Sequence, residues 1–341
     1  MNTALALDLS RRRRLMTALA LAACLLSLLG LGVGSEGWSW VWRDTDAGVP
    51  MELIVGQIRA PRTLGALLVG ALLGLAGAIA QGLFRNPLAD PYLLGTGSGA
   101  SLAVVLVLAA SAAGGHALAL ANVEWLARIG LVVAAFVGAL AGVSLTLVLA
   151  RGAQEPLRLL LSGVVVGVVL GAASDLITTW SPDAMRGKQS FMLGSTGFLG
   201  WQSVALLAAG LALALPPAWR LARALDALGL GEESAASLGL ALPRLRLLLV
   251  VLLALCTALA VSQAGLVGFV GLVSPHLVRR FAPAPQRFML PASAAAGGVL
   301  MLGADVLARG LIAPQELPVG VLTAVLGGGY LLWLLHKRGL R

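Results

Sequence analysis

Charge is what this 341-residue chain has least of: Asp, Glu, Lys and Arg together make 11% of it, against roughly 25% in an ordinary soluble domain. Too few ionic groups are present to cover a water-facing surface, which excludes a soluble globular protein. Cysteine is scarcer still. Cys24 and Cys256 each lie inside an apolar run, so neither a disulfide framework nor a cysteine metal site is expected. The three histidines, His116, His276 and His336, are far apart and form no H-x-x-x-H pair, which argues against zinc. No G-x-x-x-x-G-K-[ST] occurs, since Gly187-Lys188 is followed by Gln189 and lacks the upstream glycine spacing. Without that loop no backbone cradle for nucleotide phosphates exists, and the chain is not expected to hydrolyse ATP by itself. No Ser/His or paired-Asp arrangement suits an intramembrane protease. The chain is therefore expected to be no enzyme and to hold no metal and no cofactor of its own.

What is present is apolar and small. Hydrophobic residues make 59% of the chain, with 43 glycines, and the mean hydropathy is +0.93. This composition suits membrane helices that pack closely through small residues. About 20 apolar residues cross a bilayer core. On that measure ten spans are expected, near 15–34, 63–84, 93–113, 129–150, 159–180, 201–219, 245–263, 266–282, 288–312 and 317–336. The fold class is an all-α membrane protein with ten transmembrane helices, a single transmembrane domain over 1–341. The first span follows Arg11 to Arg14 and resembles a signal peptide. Its apolar stretch from Leu15 to Gly34 is longer than the roughly 7–15 residues of a secretory core, so a retained helix is expected.

The net charge of +9 would suggest nucleic acid in a soluble protein. Here the basic residues lie in loops beside apolar spans, as membrane topology requires, and no nucleic-acid partner is expected. With ten spans, seven of the 24 Lys and Arg residues fall on one side: Arg43, Arg59, Arg62, Arg128, Arg186, Lys188 and Arg309. The other 17 share the opposite side with both termini, which are expected in the cytoplasm. Trp38, Trp40 and Trp42 beside the first span read as an aromatic belt at the outer face. An internal echo also appears. Pro61-Arg62 opens a span that ends at Asn86-Pro87, and Pro243-Arg244 opens one leading to Ser274-Pro275. Starting on opposite sides, the two suggest an inverted repeat of spans 2–5 and 7–10.

Four features are candidates for function. The longest loop on the basic side, 220–244, contains Leu225 to Leu230 at helical spacing, a break at Gly231, and a second short helix from Glu232 to Leu238 that Gly239 ends. Glu232 and Glu233 stand in its first turn, as the helix dipole favours. The loop is either a solvated connector or a docking knob for a cytoplasmic partner. Next, Pro87 and Pro91 interrupt the stretch 81–99 and Asn86 offers side-chain hydrogen bonds, which fits an ordinary tight loop or a constriction on a path. Among intramembrane charges, Asp305 and Arg309 are spaced to pair at i,i+4, whereas Asp175 has no obvious local partner and is a functional candidate. Last, Arg59, Arg62 and Arg309 stand on the side that basic residues avoid. Snorkelling accounts for them, and so does an acidic partner.

Six segments taken together resemble one family, the permease subunits of type II ABC importers for iron–siderophore complexes, heme and cobalamin. They are Gln57 to Arg62 (QIRAPR), Gly77 through Gly99 with NPLADP at its centre, GLGEESAASLG at 229–239, GLVGFVGLVSPHLVRR at 265–280, Ala304-Asp305 with Arg309, and Glu316 to Gly320 (ELPVG). The resemblance runs from about residue 57 to the C-terminus. It implies a ten-helix subunit of the bacterial inner membrane, working as a homodimer with two cytoplasmic ATPase subunits that carry the ATP and Mg, a periplasmic binding protein, and surrounding lipid. It implies that Arg59, Arg62 and Arg309 meet acidic residues of the binding protein. Asn86 and Leu88 would belong to a cytoplasmic gate, where Glu155 and Pro156 depart from the small hydroxyl residues of some members. Asp226, Leu228, Gly231, Glu232, Glu233, Ala235, Leu238 and Gly239 would couple to the ATPase. An ion-coupled secondary transporter is the alternative. Few charges and aromatics line the spans, which leans the cargo toward heme.

Overall fold

The computed structural model describes residues 2–34, 37–38, 51–113, 124–153 and 155–339. Trp40, Trp42, Arg43, His116, Gln154 and Arg341 lie outside the described residues. Thirteen helices are described. They are α1 (Asn2–Gly32), α2 (Ile54–Leu83), α3 (Thr96–Ala113), α4 (Glu124–Leu149), α5 (Pro156–Thr178), α6 (Pro182–Leu193) and α7 (Trp201–Arg220), then α8 (Ala222–Gly229), α9 (Glu232–Ser237), α10 (Leu242–Ala264), α11 (Val270–Phe281), α12 (Gln286–Gly310) and α13 (Val319–Gly339). A two-residue strand pair, Val33–Gly34 with Gly37–Trp38, follows α1.

Seven of these helices are long and apolar enough to cross a membrane, and the shorter apolar stretches Thr96–Ala112 and Val319–Leu334 join them. The expected span 266–282 is different. Its helix is only the 12 residues of α11, about 18 Å against a core of about 30 Å. Residues 265–268 are not helical, because Gly265 and Phe269 take φ of 70° and 68°. The freed backbone is satisfied by α6, the short helix that the sequence pattern left in a loop. Leu266 N–H donates to the Phe191 carbonyl at 2.9 Å, and Ser195 N–H to that of Ala264 at 2.8 Å. Polar residues hid α6, although Ser181 caps it by accepting from Ala184 N–H, with Pro182 at its first position.

The centre of the bundle is α2. It packs against α10, α11, α12 and α7, and 83% of its apolar window is buried, with α10 next at 78%. These are the helices that open the two halves of the suspected repeat. They run oppositely, since the C-terminal end of α2 and the N-terminal end of α10 meet through Arg85, Glu232 and Arg246. Small residues make the approach to α12 and α11 so close. A Cβ added at Gly70 or Gly74 would strike the carbonyl of Gly297 or Ser293 on α12, and one at Gly77 the carbonyl of Gly271 on α11. Backbone contact of this kind drives helix association where lipid removes the hydrophobic incentive. The outermost span is α1, only 6% buried, and α5 is nearly as exposed at 17%.

Gly74→Ala should therefore lower the thermal unfolding midpoint of the purified chain, at a cost of about 1–3 kcal/mol. Gly171→Ala on α5, where an added Cβ meets nothing within 4 Å, should leave it unchanged or raise it slightly, since alanine favours the helix. Equal behaviour of the two variants in a thermal unfolding assay would contradict the backbone-contact account.

Candidate functional site

Two polar assemblies sit at opposite ends of α2. At its N-terminal end the chain enters through a π-helical turn, Ile54–Arg59, held to α7 by a 2.9 Å hydrogen bond from Trp201 Nε1 to the Gly56 carbonyl. Pro61 stands in the first turn of the α-helix that follows, where its missing N–H costs nothing. Arg59 and Arg62 project from this region, and Arg62 meets the C-terminal end of α12. Arg62 donates from Nε to Asp305 at 3.1 Å and grips Glu316 with both terminal nitrogens, each at 2.9 Å. Asp305 also receives Arg309 on its second oxygen and the Thr196 hydroxyl on its first. Asp305 is fully buried and Arg309 nearly so, so each charge stands in place of the water the other lost.

The same arginines cap α1. Arg309 donates to the carbonyls of Gly30 and Val33 at 2.9 and 3.1 Å, and Arg59 to that of Leu31 at 3.1 Å. The last carbonyls of a helix have no partner in their own ladder and carry the negative end of its dipole. Two cations on the Gly30 and Leu31 carbonyls, and on that of Val33 just beyond the helix, fasten the end of a helix whose surface is otherwise largely exposed. A polar cleft of about 170 Å³, lined by Arg62, Ser190, Thr196 and Glu316 among others, opens beside this cluster.

At the C-terminal end of α2, Arg85 turns the chain with φ of 50°. Asn86 Oδ1 then accepts the Leu88 N–H at 2.9 Å, and Asp90 Oδ1 accepts the Tyr92 N–H at 2.8 Å. Burial pushes the Asp90 carboxyl above the usual carboxylate range, against the opposing pull of that N–H. Asn86, Pro87 and Leu88 are exposed. So is Glu155, whereas Pro156 is half-buried and opens α5.

The helix pair α8–α9 lies beside this turn. Gly231, at φ 114°, separates the two helices, and Gly239, at φ 79°, ends the second. Leu225 packs within reach of Gly82 at the end of α2. Asp226 Oδ1 accepts the Gln286 N–H at 2.9 Å and so caps α12. Leu228 and Ala235 are buried. Asp226, Leu228 and Ala235 thus hold the pair to its own chain. Of the expected coupling residues Glu233, Leu238 and Gly239 face outward, and so does Leu230, whose exposure of 74% exceeds the 65% of Leu238. The sequence pattern did not single out Leu230, although its place just before the Gly231 break was visible.

Other expectations resolve differently. The pair Asp305–Arg309 forms as its spacing predicted. Asp175 has a partner after all: Lys188 on α6, 13 residues on, lies in ion-pair contact with it. The carboxylate is 75% exposed, which removes the case for a buried coupling-ion ligand. Thr196 and Glu316 were not identified as partners. The only signal was their place in a glycine-rich patch and in ELPVG. Arg59, Arg62 and Arg309 do converge, but they point inward and have carboxylates and carbonyls of this chain for partners.

A glycine-packed helical bundle with charge sealed into one end and a helix pair presented at the other defines a polytopic membrane transport subunit. Residues 19–337 match the model of the FecCD transport family. The chain is 41% identical over 285 residues to the hemin transport system permease protein HmuU of Yersinia pestis, covering 82% of each chain. It is 40% identical over 292 residues to the vitamin B12 import system permease protein BtuC of Salmonella paratyphi A, covering 84% of each. A solved inward-facing metal-chelate type ABC transporter superposes with a TM-score of 0.82 at 26% identity, covering 95% of this chain and 99% of that one. The chain belongs to the FecCD transport family. It is the membrane-spanning permease subunit of an ATP-driven importer in the bacterial inner membrane, and is not itself an enzyme.

Asp305→Asn should destabilise the purified chain by about 3–5 kcal/mol, because two buried arginines lose their shared counter-charge. Glu316→Gln should cost less, since the Glu316 side chain is 30% exposed and water screens what is lost. Thermal unfolding of the two variants checks the order, and an Asp305→Asn chain as stable as Glu316→Gln would refute it.

Proposed function

We propose that two copies of this chain form the transmembrane path of an importer that carries heme from the periplasm to the cytoplasm. The observation that carries the cargo assignment is the character of the outward helix faces. On α5, the exposed residues between Arg158 and Asp175 include Leu161, Val164, Val165, Val168 and Val169. On α13 they include Val321, Val325, Leu326 and Leu332. These faces are aliphatic, and none of these residues bears a charge that would hold a polar chelate. A wall of this kind lets a large, flat, mostly apolar molecule slide without trapping it. The likeness to a hemin permease supports the same assignment.

In this reading the end bearing Arg85 and α8–α9 faces the cytoplasm, together with both termini. The basic residues Arg12, Arg280, Arg287 and Lys337 belong to that side; each lies over a ring of Phe288, Trp333 or Trp219, as suits a membrane–water boundary. The exposed Leu230 and Leu238 of α8–α9 seat in one of two ATPase subunits, which hold the ATP and Mg. Asn86, Leu88, Glu155 and Pro156 form the inner gate. At the periplasmic end, a binding protein delivers cargo to the rim around Arg59, Arg62 and Arg309. Because these arginines are already engaged, an incoming carboxylate competes with Glu316 for Arg62, and rim charges of this kind set docking orientation and rate more than affinity.

The test is ATPase activity and uptake by the dimer reconstituted in liposomes with its ATPase subunits. Binding protein loaded with heme should stimulate both, and binding protein loaded with cobalamin should stimulate neither. Equal or greater stimulation by cobalamin would overturn the heme assignment.

A further inference from the structure

We propose that Glu232 is a positioning residue that ties the helix pair α8–α9 to the turn at Arg85, and so transmits motion of that pair to the Asn86–Leu88 segment. The inference rests on the reading of α8–α9 as the ATPase contact and of 86–88 as the gate. Glu232 is the first residue of α9, immediately after the left-handed Gly231. Its Oε1 lies 2.7 Å from Arg246 on α10 and 3.4 Å from Arg85 at the end of α2. One oxygen therefore joins three elements: the outward helix, a central span, and the turn that opens the exposed loop.

The two arms of this link differ in kind. The Arg246 side chain is only 4% exposed, so its guanidinium needs a fixed counter-charge, and Glu232 is anchored there. The Arg85 side chain is 42% exposed, and a pair so open to water contributes little to stability. Breaking the Arg85 arm should therefore leave the fold intact and disturb only what the arm transmits. Geometry gives the transmission its direction. Leu230 and Leu238 face outward on either side of Glu232, so a partner that displaces them moves the carboxylate between them. Arg85 follows that carboxylate, and the next three residues are Asn86, Pro87 and Leu88. The neighbouring α8 is held elsewhere, through Asp226 on Gln286 and Leu225 against Gly82. Residue 232 of α9 is thus the point where a charge meets the turn.

The experiment uses the complete importer in liposomes, with its ATPase subunits and loaded binding protein, and reads ATP hydrolysed per cargo delivered. Arg85→Gln should raise that ratio ~10-fold while the ATPase subunits co-purify as before and thermal unfolding is unchanged. Arg85→Lys, which keeps the charge, should restore the parent ratio. Glu232→Gln combined with Arg85→Gln should be no worse than Glu232→Gln alone, because both act through one contact. A parent ratio in Arg85→Gln, or additive losses in the double variant, would overturn the proposal. If Glu232→Gln fails to fold, the two Arg85 variants decide the matter. Failure of the underlying reading looks different: Leu230→Ala with Leu238→Ala would then leave ATPase co-purification and activity untouched.

Discussion

Asp305 is the interaction on which the end of the molecule around the α2 N-terminus depends. A carboxylate with no exposed surface is costly inside a membrane protein, and it persists here because Arg62, Arg309 and Thr196 all spend donors on it. The consequence reaches beyond the ion pairs. With Arg309 held by Asp305, its remaining terminal nitrogen is aimed at the carbonyls of Gly30 and Val33. The helix α1 packs along α12 through Leu15, Leu19, Leu26 and Leu29, and that aim fixes its end. One buried charge thus orders the ends of α1, α2 and α12 and the segments carrying Thr196 and Glu316.

From that end, α2 runs through the centre of the protein to Arg85. Its middle cannot bend aside, since Gly70, Gly74 and Gly77 bring its backbone onto α12 and α11 with no side chain between. Close-packed interiors respond to stress by discrete rearrangement and not by gradual deformation. The two ends of α2 are therefore mechanically different. The N-terminal end is locked by buried charge. The C-terminal end finishes in a left-handed residue, an Asx turn and a proline, all exposed.

The architecture was legible in the sequence where the cause is local. Apolar run length located the seven helices long enough to cross a membrane and two shorter apolar ones, and glycines at 231 and 239 marked the break and the end of the helix pair α8–α9. The i,i+4 spacing of Asp305 and Arg309 announced their pair. What escaped depends on distance along the chain. Arg62 and Asp305 are separated by 243 positions and Arg62 and Glu316 by 254, so nothing local distinguishes an arginine pointing inward from one facing a partner. The same holds for Asp175, whose lysine sits on a helix too polar to be recognised beside membrane spans. The shortened α11 escaped because hydropathy measures composition, while Gly265 and Phe269 end the helical path through backbone angle.

The inward arginines constrain the docking proposed for this chain. An exposed cation gains a partner on contact, with little to lose. Here Arg62 already holds Glu316 through two hydrogen bonds, and an incoming carboxylate gains only the difference between the two partners. That difference is small when the resident carboxylate is itself part-exposed, as Glu316 is. Arg309 and Arg59 differ, because releasing them uncaps α1 and leaves carbonyls at Gly30, Leu31 and Val33 without donors. Of the three arginines, Arg62 is the one that exchanges partners at least cost. In the proposed docking the other two would keep the rim rigid, so that an exchange at Arg62 would take place against a fixed surface.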